Sequence, residues 1–207
     1  HPSAGNICCR GFTIIHLKDG RNISIDYRET APEKASRDMY LDSNGNPQMN
    51  LSQNSPLSSG VPGSVAGIFE CMKYAKLPFK KLIQPAITLA EKGFALNAGE
   101  ASSLNYIKNY LIKMNSVIPD FVKNTPWKTS DTLIQKDLAN TLKRIRDLGA
   151  KGFYEGETAR MIAAQRKKDN GLITEEDLKN YQAKERAPIV FDYKGNTVVP
   201  MPLPSSG

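Results

Sequence analysis

A hairpin and a proline bracket one short polar run near the start of the chain, Asp26-Tyr27-Arg28-Glu29-Thr30-Ala31-Pro32. Phe12 to Leu17 and Asn22 to Tyr27 are predicted strands, joined through Asp19-Gly20, a pair suited to the positive φ values of a tight turn. Strand periodicity sends Ile23, Ile25 and Tyr27 to one face and Ser24, Asp26 and Arg28 to a polar face. Arg28 therefore leaves the sheet end on the polar side, and Pro32 stops the ladder soon afterwards. A guanidinium mounted in this way is a planar fork matched to a carboxylate. One arginine alone does not carry that assignment, because most surface charges pair only with neighbours, here Asp26 or Glu29, or with water.

Composition narrows what surrounds this run. A chain of 207 residues with 40% hydrophobic content can bury one good core, and one domain is expected. Lysine and arginine total 28 against 21 acidic residues, a net charge of +7. The basic clusters Lys80-Lys81, Arg144 to Arg146 and Arg166-Lys167-Lys168 alternate with acids along predicted helices, and the single tryptophan, Trp127, lies in a loop. That pattern argues against nucleic-acid binding, which wants one basic face with stacking aromatics, while a positive field suits an anionic substrate. The three cysteines, Cys8, Cys9 and Cys71, make no Cys-x-x-Cys pair, and His1 and His16 do not complete a ligand set, so neither a metal nor another cofactor is expected. No apolar run approaches the length of a membrane span. The chain starts at His1 without a methionine and ends in a loop, Pro204-Ser205-Ser206-Gly207, so a fragment is expected, with apolar faces left exposed.

Between the first hairpin and the chain's end the pattern is helical. Ala31 to Ser59 reads as a surface excursion with a turn at Asp42-Ser43-Asn44-Gly45-Asn46. A helix is predicted from Pro62-Gly63-Ser64 onward, with Val65, Ile68, Phe69 and Met72 inward and Cys71 a small hydrophobe beside them. A second runs from Phe79 to Lys92 with Leu82, Ile83, Ala86, Leu89 and Ala90 inward, ended by Gly93. Asn97 and Glu100 cap a third, with Leu104, Ile107 and Leu111 on its buried edge. A fourth covers Gln135 to Leu148 with Leu138, Leu142, Ile145 and Leu148 on one stripe, and a fifth covers Glu157 to Lys168. Thr174 with Asp177 makes a capping box for a sixth, whose first-turn acids answer the helix dipole rather than a metal. Strands return at Ile189 to Tyr193 and Thr197 to Met201, turning through Lys194-Gly195-Asn196. Strands at both ends with helices between predict an α/β, more strictly α+β, architecture: a sheet whose edges meet under a helical layer.

Five stretches in fixed order now carry a resemblance across the whole chain. They are His1-Pro2-Ser3-Ala4-Gly5-Asn6, the Asp26 to Pro32 run, Pro62-Gly63-Ser64-Val65-Ala66-Gly67, Gly171-Leu172-Ile173-Thr174-Glu175-Glu176-Asp177-Leu178, and Pro202-Leu203-Pro204-Ser205-Ser206-Gly207. Together they resemble the γ-glutamyltranspeptidases. The resemblance implies an N-terminal-nucleophile hydrolase fold with αββα layers, of which this chain would be the middle and C-terminal part of the large subunit. It further implies a precursor that cuts itself, and a small catalytic subunit whose new N-terminal threonine attacks the γ-glutamyl amide of glutathione or a related compound. No catalytic residue is then expected in this chain. The substrate-binding residue implied is Arg28, the position that matches the family's anchor for the α-carboxylate. A periplasmic or secreted location would follow from the same resemblance.

One stretch departs from the family. Where the family runs glycines after Gly-Asn-x, this chain has Cys8-Cys9-Arg10 before Gly11. Side chains in a place built for backbone alone should strain or fill it. Two readings compete, a segment altered so that activity is lost, or errors in a fragmentary sequence. Alternatives for the whole chain are a cephalosporin acylase or poly-γ-glutamate depolymerase of the same superfamily, or a non-catalytic basic interaction module. A self-contained hydrolase is harder to support, since Ser/His/Asp chemistry needs a histidine beside a nucleophile, His1 and His16 both lie in the first sixteen residues, and Ser205-Ser206 has no base nearby in the sequence.

Overall fold

The computed structural model describes residue 7 and residues 11–205. Within it, β1 (Phe12–His16) and β2 (Asn22–Asp26) pair antiparallel, with Phe12 opposite Asp26 and His16 opposite Asn22. The connection is a three-residue loop rather than a two-residue one. The Leu17 amide donates to the Arg21 carbonyl and the Gly20 amide to the Leu17 carbonyl, each at 2.9 Å. Only Gly20 takes positive φ, at +88°, the geometry of a type I turn closed by a glycine bulge. Asp19 finishes the turn by accepting from the Arg21 amide at 3.1 Å and from Arg21 Nε at 2.8 Å.

β2 is a central strand, and this corrects its expected polar face. A strand not anticipated from the sequence, β5 (Lys184–Arg186), pairs along its other edge and gives the order β1-β2-β5. Ile23, Ser24, Ile25 and Asp26 are all buried, so both faces of β2 are covered. Buried polar groups must then find partners. The Ser24 hydroxyl donates to Met201 Sδ at 2.9 Å, and Asp26 Oδ2 accepts from Arg186 Nε at 2.7 Å. The C-terminal hairpin, β6 (Phe191–Tyr193) and β7 (Asn196–Val198), forms a separate two-stranded sheet, shorter than predicted. The sheet meets the chain's end through β5 and Met201 instead.

The helices fall where capping and periodicity place them. They are α1 (Met49–Asn54) inside the surface excursion, α2 (Ser64–Cys71), α3 (Phe79–Lys92), α4 (Ala98–Met114), α5 (Lys136–Leu148), α6 (Lys151–Tyr154), α7 (Gly156–Lys168) and α8 (Glu175–Asn180). The short α1 and α6 were not expected. Both predicted capping boxes form: Asn97 with Glu100 on α4, and Thr174 with Asp177 on α8. A short pair, β3 (Phe94–Ala95) and β4 (Thr132–Leu133), bridges the ends of α3 and the loop after α4.

One apolar core joins α2, α3, α5, α6, α7 and α8 through Val65, Ile87, Leu142, Ile145, Phe153, Ala159 and Leu178. A satellite cluster of Leu96, Ala101, Leu104 and Leu133 sits under Trp127, whose indole N–H donates to the Phe121 carbonyl at 2.7 Å. The helix stripes are partly rotated from their predicted faces. On α3 the buried residues are Ile87 and Ala90, while Leu82 and Leu89 are exposed; Ile68, Ile107 and Leu148 are exposed as well. α3 lies against α5, and the face it buries there carries Ile87 and Ala90, packed in one core with Ala139, Leu142 and Ile145 of α5.

Candidate functional site

The strand end that carries Arg28 is held by its backbone. Asp26 Oδ1 accepts the Arg28 amide at 2.9 Å, while its other oxygen holds Arg186. Both oxygens of this 6%-exposed carboxylate are therefore engaged, and the alternative pairing of the Arg28 and Asp26 side chains does not form. At the other end of the same residue, the Arg28 carbonyl accepts from the Tyr181 hydroxyl at 2.7 Å. Amide and carbonyl of one residue are thus fixed by side chains from opposite ends of the chain. Among the described residues the guanidinium itself reaches only a backbone acceptor, the Pro204 carbonyl, at 3.3 Å. Among the described residues no carboxylate pairs with it.

Three of the other sequence stretches meet at this point. Pro62 to Gly67 opens α2 with backbone that comes very close to the strand end. A Cβ on Gly63 would lie 2.1 Å from the Tyr181 hydroxyl oxygen and 2.1 Å from the Tyr27 carbonyl, and one on Gly67 would lie 2.1 Å from the Tyr27 ring. Those glycines are needed for room. The stretch from Gly171 onward supplies α8, and Asp177 does two tasks there: Oδ2 accepts the Thr174 amide at 2.8 Å, and Oδ1 accepts the Glu33 amide at 2.7 Å. Burial pushes the Asp177 carboxyl up, but the hydrogen bonds from Thr174 and Glu33 outweigh it and leave the group below its usual range. Just past α8, Tyr181 stacks on Tyr154 with ring centroids 5.8 Å apart and planes 10° apart. The Tyr154 hydroxyl donates to the Pro62 carbonyl at 2.8 Å, tying α6 to the start of α2. Pro204, from the last stretch, closes the arrangement over the guanidinium.

Beyond Arg28 the backbone turns Glu29 toward a cavity of about 650 Å³ bordered by Ser59, Gly60, Pro62, Arg166 and Ile173. Arg166 is committed there to Ser59 Oγ at 3.1 Å. Other candidates are elsewhere. His16 is exposed on β1 and shares a hydrogen bond with Asn22 Oδ1 at 2.8 Å, 
so it does not pack as expected. Cys71 is half-buried, and burial pushes its thiol up, away from nucleophile chemistry. Among the described residues no cluster of metal-ligating side chains exists, and no helix is long and apolar enough to cross a membrane. His1 to Asn6, the Cys8-Cys9-Arg10 run and Ser206-Gly207 lie outside the described residues. Tyr181 and Gly63 were missed as parts of the site. The signal available in the sequence was position: Gly63 lies within the Pro62 stretch and Tyr181 just past the Gly171 stretch, and both stretches meet the Arg28 run here.

Helices over a short central sheet make this an α+β chain, and the solved structures it resembles give the class, the N-terminal-nucleophile hydrolase fold. The crystal structure of Helicobacter pylori γ-glutamyltranspeptidase superimposes with a TM-score of 0.95 at 44% identity, covering 100% of this chain and 60% of that one. The glutathione hydrolase proenzyme of Escherichia coli K12 is 44% identical over 210 residues, 100% of this chain and 36% of the relative. The sequence model of the family described as gamma-glutamyltranspeptidase matches residues 1–207. The chain belongs to the γ-glutamyltranspeptidase family, and it spans about a third of the length of the curated relatives it matches. A cephalosporin acylase from Bacillus halodurans, at 22% identity and a TM-score of 0.80, shares the fold alone. Neither an acylase nor a basic interaction module is favoured by this set of relatives.

Proposed function

We propose that this chain is the large-subunit part of a γ-glutamyltransferase of the glutathione hydrolase type, and that Arg28 receives the α-carboxylate of the γ-glutamyl donor. The observation that carries the assignment is the division of labour at residue 28. Its peptide is fixed at both ends, its natural acidic neighbour Asp26 is engaged with Arg186, and its guanidinium has one long bond to a carbonyl. A charged fork so mounted keeps donors in hand for an incoming carboxylate, and a bidentate pair there would fix the donor's orientation. The scissile amide lies at the other end of the glutamyl group, so the role is positioning: the amide is held for attack by the N-terminal threonine of a small catalytic subunit. Transfer of the glutamyl group to an amino acid, a peptide or water then completes the reaction through the acyl-threonine.

The test is Arg28→Ala in the enzyme assembled with its catalytic subunit. The Michaelis constant for a γ-glutamyl donor should rise about 100-fold, the worth of a charge-assisted bidentate pair, with the thermal midpoint unchanged. Arg28→Lys should recover only part of the loss, because an ammonium is a point charge and not a fork. A wild-type Michaelis constant in Arg28→Ala would sink the assignment.

A further inference from the structure

We infer that Tyr181 is a positioning residue for the Arg28 anchor, holding it through the Arg28 carbonyl rather than through its side chain. The inference rests on Arg28 being the carboxylate anchor. An arginine at a strand end has two backbone dihedrals that aim its side chain, and the peptide after it is the one a loose strand end would let rotate. At this strand end the preceding peptide is fixed by Asp26 on the amide, and the following one by the Tyr181 hydroxyl at 2.7 Å. Tyr181 can serve as that stop because its ring is itself held flat against Tyr154 and its hydroxyl sits where Gly63 leaves no Cβ. Burial, with smaller contributions from Asp26 and Glu29, pushes the Tyr181 phenol up to about 12. The hydroxyl therefore remains a proton donor throughout the neutral range. Its length matters too, since Phe would leave the Arg28 carbonyl without this donor while preserving the stack.

The structure separates this role from a purely structural one by comparison with Tyr154. Tyr154 is the more buried of the two, and its hydroxyl serves Pro62 and the Ala66 amide on α2, not the arginine. Loss of the Tyr154 hydroxyl should lower stability and leave donor affinity in place. Loss of the Tyr181 hydroxyl should do the reverse.

The experiment is a double-mutant cycle in the assembled enzyme with Arg28→Ala, Tyr181→Phe and the pair, read with a γ-glutamyl donor and with its analogue lacking the α-carboxylate. Tyr181→Phe should raise the Michaelis constant for the γ-glutamyl donor about five-fold, the worth of one hydrogen bond, with kcat and the constant for the analogue unchanged. In the Arg28→Ala background the same change should have no further effect. Replacing the ring with para-aminophenylalanine, which keeps a donor at the same place, should restore the wild-type constant and also covers the case in which Phe impairs assembly. If Arg28→Ala leaves donor affinity untouched, the anchor reading itself fails. If Arg28→Ala weakens binding but Tyr181→Phe does not, or if the two effects simply add, or if the analogue suffers equally, Tyr181 is not a positioning residue.

Discussion

Two hairpins end up with opposite fates. β1–β2 and β6–β7 both show turn chemistry that the sequence announces, Gly20 at φ +88° in one and Lys194 and Gly195 at φ +49° and +78° in the other. Yet every side chain from Ile23 to Asp26 is buried, while Phe191, Asp192 and Tyr193 are exposed. A turn fixes how two strands meet; only what packs on them decides what they are worth. β2 gained a third strand, a cover from Met201 and an ion pair from Arg186, and the other hairpin gained none of these.

The largest test of that contrast is truncation. Ile25→Ala should cost about 3 kcal/mol of folding free energy, the usual range for a buried aliphatic side chain, whereas Phe191→Ala should cost about 0.5 kcal/mol or less, as for other surface sites. Denaturant titration of the two variants measures both, and equal costs would erase the distinction. Next, Asp26→Ala strips Arg186 and the Arg28 amide of their acceptor; with Arg186 still partly in solvent, a loss of about 2 kcal/mol is expected, and donor affinity should fall with it. A smaller effect comes from the support behind the site. Thr174→Ala should cost about 1 kcal/mol by removing the α8 cap. Its partner Asp177 has a carboxyl lowered in the folded chain, so its stabilisation is complete above the unfolded value of about 4 and is lost as pH falls through the lowered folded value. Asp177→Asn should therefore flatten the acid limb of the stability profile and leave the alkaline side alone. The smallest test compares the turns themselves. Gly20→Ala and Gly195→Ala should each cost about 1 kcal/mol locally, but hydrogen exchange should show the Gly195 effect confined to residues 191–198, and the Gly20 effect spread through β1 and β2.

What could be read in advance follows the same division. Capping boxes at Asn97 and Thr174, helix stops at Gly93 and Gly149, and the bounds of α3 depend on residues within a few positions of each other, and sequence patterns report such things well. The burial of Ser24 and Asp26 depends on Met201 and Arg186, 177 and 160 residues away. No periodicity within β2 could signal it. The exposure of Leu82 and Leu89 has the same origin, because it depends on which side of α3 the α5 helix approaches. At the proposed site, Arg28 stands out in the sequence through its run of neighbours, while Tyr181 and Gly63, which meet its backbone, do not, since one acts on a carbonyl and the other by lacking a side chain.

That last point makes residue 28 separable from its mount. Asp26 and Tyr181 grip amide and carbonyl, groups that every residue other than proline possesses. Neither contact reads which side chain the residue bears. The proposed site is in this sense a socket with an exchangeable head, and an engineered donor preference could begin by changing that head alone: a glutamine to address a neutral amide, or a glutamate to address an amine, each leaving the same backbone in the same direction as the arginine but reaching less far.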